Sequence, residues 1–186
     1  MKLHIFNPEH DISLAQNNPN QTPSRAALQI RNDLDFIPYI WAYQGDVVLV
    51  NDVMKAYEAV EKLRLKDKNV SFIDADILEK YSDEIDAILP WGWDCAIKEH
   101  LKRLGISQTL LPSSKQLSEI RNLNNRKASI NWLLFLKAHL PYATTVGEAY
   151  YYNNINDLCT KAKEIGKAVI KAPWSGSGRE IGRAHV

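Results

Sequence analysis

The chain has 186 residues, 45% of them hydrophobic and 24% charged, which is enough apolar material for a packed core and too much for a disordered polymer. Twenty-three Lys and Arg against 22 Asp and Glu leave a formal charge of +1, which argues against a nucleic-acid binder working by bulk electrostatics. No apolar run approaches the roughly 18 residues that span a bilayer, Glu9 interrupts the N-terminus before a signal-peptide core forms, and Cys95 and Cys159 have no metal-site spacing. These features predict a soluble, cytoplasmic protein of a reducing compartment, with neither a nucleic-acid nor a membrane partner.

Residues 2–6 read as a short buried strand closed by Asn7-Pro8. Residues 17–23 are turn-rich, and Thr22-Pro23 reads as a helix start: a cap hydroxyl, then proline at the first helical position, with Ala26, Ala27, Ile30 and Leu34 at helical spacing. Residues 46–50 read as a buried strand of the parallel kind, 54–65 as an amphipathic helix, 70–73 and 85–89 as further strands, and 95–104 as a helix stopped by Gly105. Strands alternating with helices predict a parallel α/β sheet, since parallel strands require crossovers.

After Pro112 the rhythm changes to two successive helices, the first opened by Ser113 and Gln116 at capping-box spacing, the second covering 127–139 and closing at Leu140-Pro141. A strand over 144–152, a helix over 155–165 and a strand over 168–171 follow. The predicted domains are an N-terminal α/β domain over 1–110, a helical linker over 111–140 and an incomplete subdomain over 141–179.

Residues 180–186 are set apart. Back-translated as GAG ATC GGA AGA GCA CAC GTC they reproduce a common short-read sequencing adapter whose next codon in frame is a stop, so this tail is read as adapter read-through and kept out of fold reasoning. The strand at 168–171 is then expected to lack its pairing partner.

The segment 167–179 carries the clearest chemistry. A buried strand delivers Lys171, and a loop follows with Ser175, Gly176, Ser177, Gly178 and Arg179. Glycines let backbone N–H groups approach an anion, the hydroxyls add donors, and the two cations add charge. The lysine precedes the glycines, so this is not a P-loop.

This constellation resembles the ATP-grasp superfamily of carboxylate–amine and carboxylate–thiol ligases. Val169-Ile170-Lys171-Ala172 followed by Ser175-Gly176-Ser177-Gly178-Arg179 is similar to that family's strand, phosphate lysine and mobile glycine-rich loop. Pro112-Ser113-Ser114, through Glu119-Ile120 to Asn125-Arg126-Lys127, resembles its helical connection ending in a second ATP lysine, and Leu133-Leu134 to Pro141-Tyr142-Ala143-Thr144 resembles the helix and proline that lead to the next strand. The resemblance implies a Rossmann-like parallel-sheet domain of the pre-ATP-grasp kind, then the first part of an ATP-grasp α+β subdomain. It implies ATP and Mg2+ as cofactors, Lys127 and Lys171 on the phosphates, and small-molecule or peptide carboxylate and amine substrates. The family's adenine contacts, Mg2+ ligands and acyl-phosphate arginine are expected downstream of the loop, so no catalytic residue is assigned and the fragment itself is expected to be inactive. Glu180 stands where the family often has glycine, a departure that the adapter reading makes artificial.

Substrate candidates are Glu9, His10 and Asp11, directly after the first strand, where open α/β sheets bind ligands. The same residues suit a polar turn with Asp11 or Ser13 capping a short helix. Trp91 and Trp93, after the strand ending at Leu89, either line a small-molecule pocket or close the core, and Asp94 reads as the cap of the next helix. His100 and His139 read as isolated helix-face residues. Two other classes stay open: a nucleotide-responsive regulatory protein that does no ligation, and a Rossmann-like domain for another cofactor, against which stands the absence of GxGxxG after the first strand.

Overall fold

The computed structural model describes residues 1–140, 147–174 and, as backbone, 181–185, and it divides into two compact units, Met1–Ser118 and Glu119–Val186.

In the first unit, β1 (Lys2–Ile5), β2 (Val47–Leu49), β3 (Ser71–Ile73) and β4 (Ala87–Pro90) form one parallel sheet in the order β3-β2-β1-β4. The crossovers supply α1 (His10–Gln16), α2 (Arg25–Leu34), a 3-10 turn at Ile37–Ile40, α3 (Val53–Lys62) and α4 (Ala75–Tyr81), and α5 (Cys95–Arg103) follows β4. The α/β class and the parallel sheet expected from the alternation are both present.

Strand alternation assigns the two faces. Leu3, Val47 and Ile88 share a register row, as do Ile5 and Ile73 through Leu49. These rows pack with Leu78 of α4 and with Ile97 and Leu101 of α5 in one apolar cluster. On the opposite face, Val48 and Phe72 pack with Phe36, Tyr39 and Ala56 in a second cluster. His4 and Leu89 continue that row across β1 and β4 but belong to neither cluster.

Local chemistry moves several element ends. Helix α2 begins at Arg25 because Ser24, not Thr22, is the cap, its Oγ accepting from Ala27 N at 3.3 Å. Helix α3 ends at Lys62 instead of Leu65: Arg64 adopts φ 51°, and Leu65 N turns back to Val60 O, which seats Leu65 against the second cluster. The two expectations at α5 hold, with Asp94 Oδ1 accepting from Ala96 and Ile97 N at 2.9 Å and Gly105 at φ +82° just past the end. Helix α6 (Ser114–Leu123) opens on the reciprocal capping box, Gln116 N to Ser113 Oγ and Ser113 N to Gln116 Oε1.

The second unit holds α7 (Arg126–His139), α8 (Ile155–Ile165), β5 (Lys167–Lys171) and β6 (Ile181–His185). The strand expected over 144–152 is absent from its described part: residues 147–152 make no ladder, and Gly147 at φ +86° breaks the extended run, while 144–146 lie outside the described residues. The expected unpaired edge of β5 is also corrected. β5 pairs antiparallel with β6 from Lys167↔His185 to Lys171↔Ile181. Backbone pairing asks little of side-chain identity, so this bears on the edge and not on the origin of the tail. Among the described residues no helix is long and apolar enough to cross a membrane.

Candidate functional site

From β1 the chain winds outward to β2 and β3, then returns to place β4 on the other side of β1. The carboxyl ends of β1 and β4 therefore flank the topological switch point, the crevice where open α/β sheets bind ligands. Two loops meet there, 6–9 and 91–94. The Asn7 carboxamide holds Gly92 from both sides, donating from Nδ2 to Gly92 O at 2.8 Å and accepting at Oδ1 from Gly92 N at 3.2 Å. His10 Nδ1 lies 3.0 Å from Asp94 Oδ2, whose partner oxygen caps α5. Since a carboxylate only accepts, Nδ1 carries the hydrogen. Asn7 and Asp94 are each 2% exposed, and Glu9 and His10 are buried with them.

Glu9 forms an ion pair with Arg31 of α2, so the charge at the start of α1 is compensated inside the fold. Burial lowers the Arg31 pKa from its ordinary value while Asp94 opposes that shift. This arrangement has the parts of an acid–base pair, an imidazole oriented by a carboxylate. Its burial makes it first a latch that fastens the β1 loop to the β4 loop. Asp11 takes no part in these bonds and is half-buried in the first turn of α1. The two tryptophan candidates are separated: Trp93 packs against the first apolar cluster, whereas Trp91 is largely exposed.

Partial desolvation, followed by the guanidiniums of Arg31 and Arg103, holds His100 of α5 below its ordinary 6.5. A histidine with a depressed folded pKa adds stability above about 6.5 that is lost as pH falls through the folded value, and the exposed edge of this ring keeps the effect small. In an NMR titration His100 is expected to titrate below 6.5, and Arg103→Gln is expected to raise its midpoint. A midpoint at or above 6.5 in the native chain contradicts this account.

In the second unit a separate basic site forms where α7 starts and β5 ends. Arg126 N donates to Pro173 O and Arg126 Nε to Ala172 O, both at 2.9 Å. Trp174 Nε1 donates to Arg121 O at 2.9 Å, and the Arg121 guanidinium lies 4.0 Å over the Trp174 ring. These ties bind the end of the strand carrying Lys171 to the helix start carrying Lys127. Both lysines are exposed, and Lys127 Nζ stands 5.1 Å over the Tyr151 ring. Ser175, Gly176, Ser177, Gly178 and Arg179 lie outside the described residues. Among the described residues no group of three His, Cys, Asp or Glu side chains could hold a metal ion.

Sequence reasoning gave a role to Lys127 and Lys171 but none to Arg126, which joins their segments, nor to Asn7, Arg31 and Gly92 of the latch. Only Asn7-Pro8 left a local signal, and it reads as a turn. No family model matches the chain, and no curated protein or solved structure matches it.

Proposed function

We propose that this chain is part of an ATP-dependent ligase of the ATP-grasp type, with the basic site of the second unit as its phosphate clamp. The observation that carries the reading is the bonding of Arg126 to Ala172 and Pro173, which draws the Lys127 and Lys171 segments together beside the start of the glycine-rich loop. The parallel sheet of the first unit agrees with the pre-ATP-grasp domain that the resemblance implies.

ATP supplies a γ-phosphoryl group that a substrate carboxylate oxygen attacks, giving an acyl phosphate and ADP; an amine or thiol then displaces phosphate. The part of this chain is electrostatic: two exposed ammonium groups, set beside the positive end of α7, neutralise phosphate charge as it shifts in the transition state. Lys171 closes a paired strand and Lys127 sits in the first turn of a capped helix, so both cations are carried on ordered backbone. Mg2+, which the resemblance implies, would supply further charge neutralisation on the phosphates, and among the described residues no group of three His, Cys, Asp or Glu side chains could hold it.

Calorimetric titration with ATP and AMP tests the clamp. ATP is expected to bind more tightly than AMP, and Lys171→Ala and Lys127→Ala are each expected to weaken ATP about tenfold, the value of one lost charge-assisted hydrogen bond. Equal binding of ATP and AMP, or ATP binding untouched by either substitution, rejects the reading.

A further inference from the structure

Among the described residues, the second apolar face of the sheet is only half covered. Its cluster seals β2 and β3, but over β1 and β4 the layer stops, leaving a hollow of about 300 Å³ lined by His4, Trp41, Leu89, Pro90 and Trp91. That size is at the lower end of ligand pockets, about 300–1,000 Å³. Its rim is apolar and open: Trp41 is 44% exposed, Leu89 43% and Trp91 59%. Phe6 supports Trp91 edge-on at 5.6 Å, and the two indoles stand 6.1 Å apart, tilted by 47°. Large exposed rings beside one another at a strand end are costly to leave in water.

His4 makes this hollow more than an apolar patch. Its ring is 3% exposed, and Nε2 is committed to Asp46 Oδ2 at 3.0 Å. Asp46 also accepts from Lys2 N and Tyr43 N. Burial pushes the Asp46 pKa up, and these bonds outweigh it, so the carboxylate is ionised and Nε2 carries the hydrogen. With that hydrogen on Nε2, Nδ1 is left buried with no hydrogen-bond partner among the described residues. An unsatisfied buried acceptor carries an uncompensated desolvation cost, which a donor brought to it recovers.

We infer that the Trp41–Trp91 hollow is a binding site for a small planar aromatic molecule bearing one hydrogen-bond donor, a phenol or an indole, which stacks on the tryptophans and donates to His4 Nδ1. Trp91, the more exposed indole, forms the outer wall of the hollow, and His4 lines its buried side. Nucleobases fit less well, because their several polar edges would face Leu89 and Pro90 unpaired. The site lies wholly in the first unit and does not depend on the ligase reading.

The test is an NMR titration of the full chain with p-cresol and with 4-methylanisole, which has the same ring but no donor, following the indole N–H signals of Trp41 and Trp91. The expected result is shifts at both indoles, with p-cresol bound about tenfold more tightly than 4-methylanisole. Trp91→Ala, at an exposed ring, is expected to weaken both ligands, and His4→Phe to abolish the preference between them. Adenine is expected to bind more weakly than p-cresol. Equal affinities for the two rings in the native chain, shifts confined to other residues, binding unchanged by Trp91→Ala, or tighter binding of adenine overturns the inference. Should His4→Phe fail to fold, the two-ligand comparison and Trp91→Ala still decide.

Discussion

Gly92→Ala is expected to destabilise the first unit by about 3 kcal/mol, read from the midpoint of urea unfolding. A Cβ at Gly92 would lie 2.3–2.5 Å from three atoms of the His10 ring, closer than real Cβ contacts. Neither side can step back. The ring is held by Nδ1 on Asp94, and Asp94 is anchored through its other oxygen to the first turn of α5. The Gly92 backbone is held by Asn7 at both its N–H and its C=O. Relief therefore requires breaking a buried charge-assisted bond, about 1.5–3 kcal/mol, or straining the loops, about 1–3 kcal/mol. The double substitution separates this clash from any general effect of alanine. In a His10→Ala background, which removes the ring, Gly92→Ala is expected to cost less than about 1 kcal/mol. Gly105→Ala is a further control: nothing lies within 4 Å of its Cβ, but its φ of +82° is strained for alanine, so about 1–2 kcal/mol is expected. If Gly92→Ala costs no more than Gly105→Ala, or costs the same with and without His10, the latch does not hold the loops as described.

Legibility in the sequence followed the distance over which each feature is decided. Helix α5 could be read because Asp94 and Gly105 mark its ends within the local chain. Helix α4 went unread although Asp74 caps it, because a helix of 7 residues with Leu78 as its one buried position shows no period. At α2, Thr22 and Ser24 are both competent caps, and only the folded backbone selects Ser24. The latch was illegible for a different reason: Asn7 and Gly92 stand 85 residues apart, and only the return of the chain from β3 to β4 brings them together. Half of Asp94 was visible, the oxygen that caps α5; the oxygen that orients His10 was not. His4 sat in what reads as an apolar strand, and its orphaned Nδ1 depends on Asp46, 42 residues further along the chain. The clamp lysines came from a resemblance, whereas the Arg126 tie that draws their segments together is a tertiary fact.

Hydrogen exchange is expected to separate the two units by about 100-fold in rate, equivalent to about 2.8 kcal/mol, with β1–β4 and α5 slow and α7, α8 and β5 fast. The protected unit has a closed core in which Leu3, Val48, Leu78 and Leu101 have no exposed surface. Among the described residues of the second unit only Ala162 is buried, while Trp132, Leu134, Phe135 and Leu136, close together in α7, are all exposed. Helical stability in proteins comes mainly from burying an apolar face, and a two-stranded ladder such as β5–β6 adds little stability of its own in water. The ties from Arg126 and Trp174 join elements without sealing a core, so they slow local opening without raising it to the global value. Exposed apolar side chains also invite self-association, which would protect α7 for an unrelated reason. Measuring at two protein concentrations removes that ambiguity, because protection by association falls on dilution and intramolecular protection does not. Equal protection of both units at both concentrations would mean that the apolar side of α7 is covered within the single chain, and the contrast drawn from burial would be wrong.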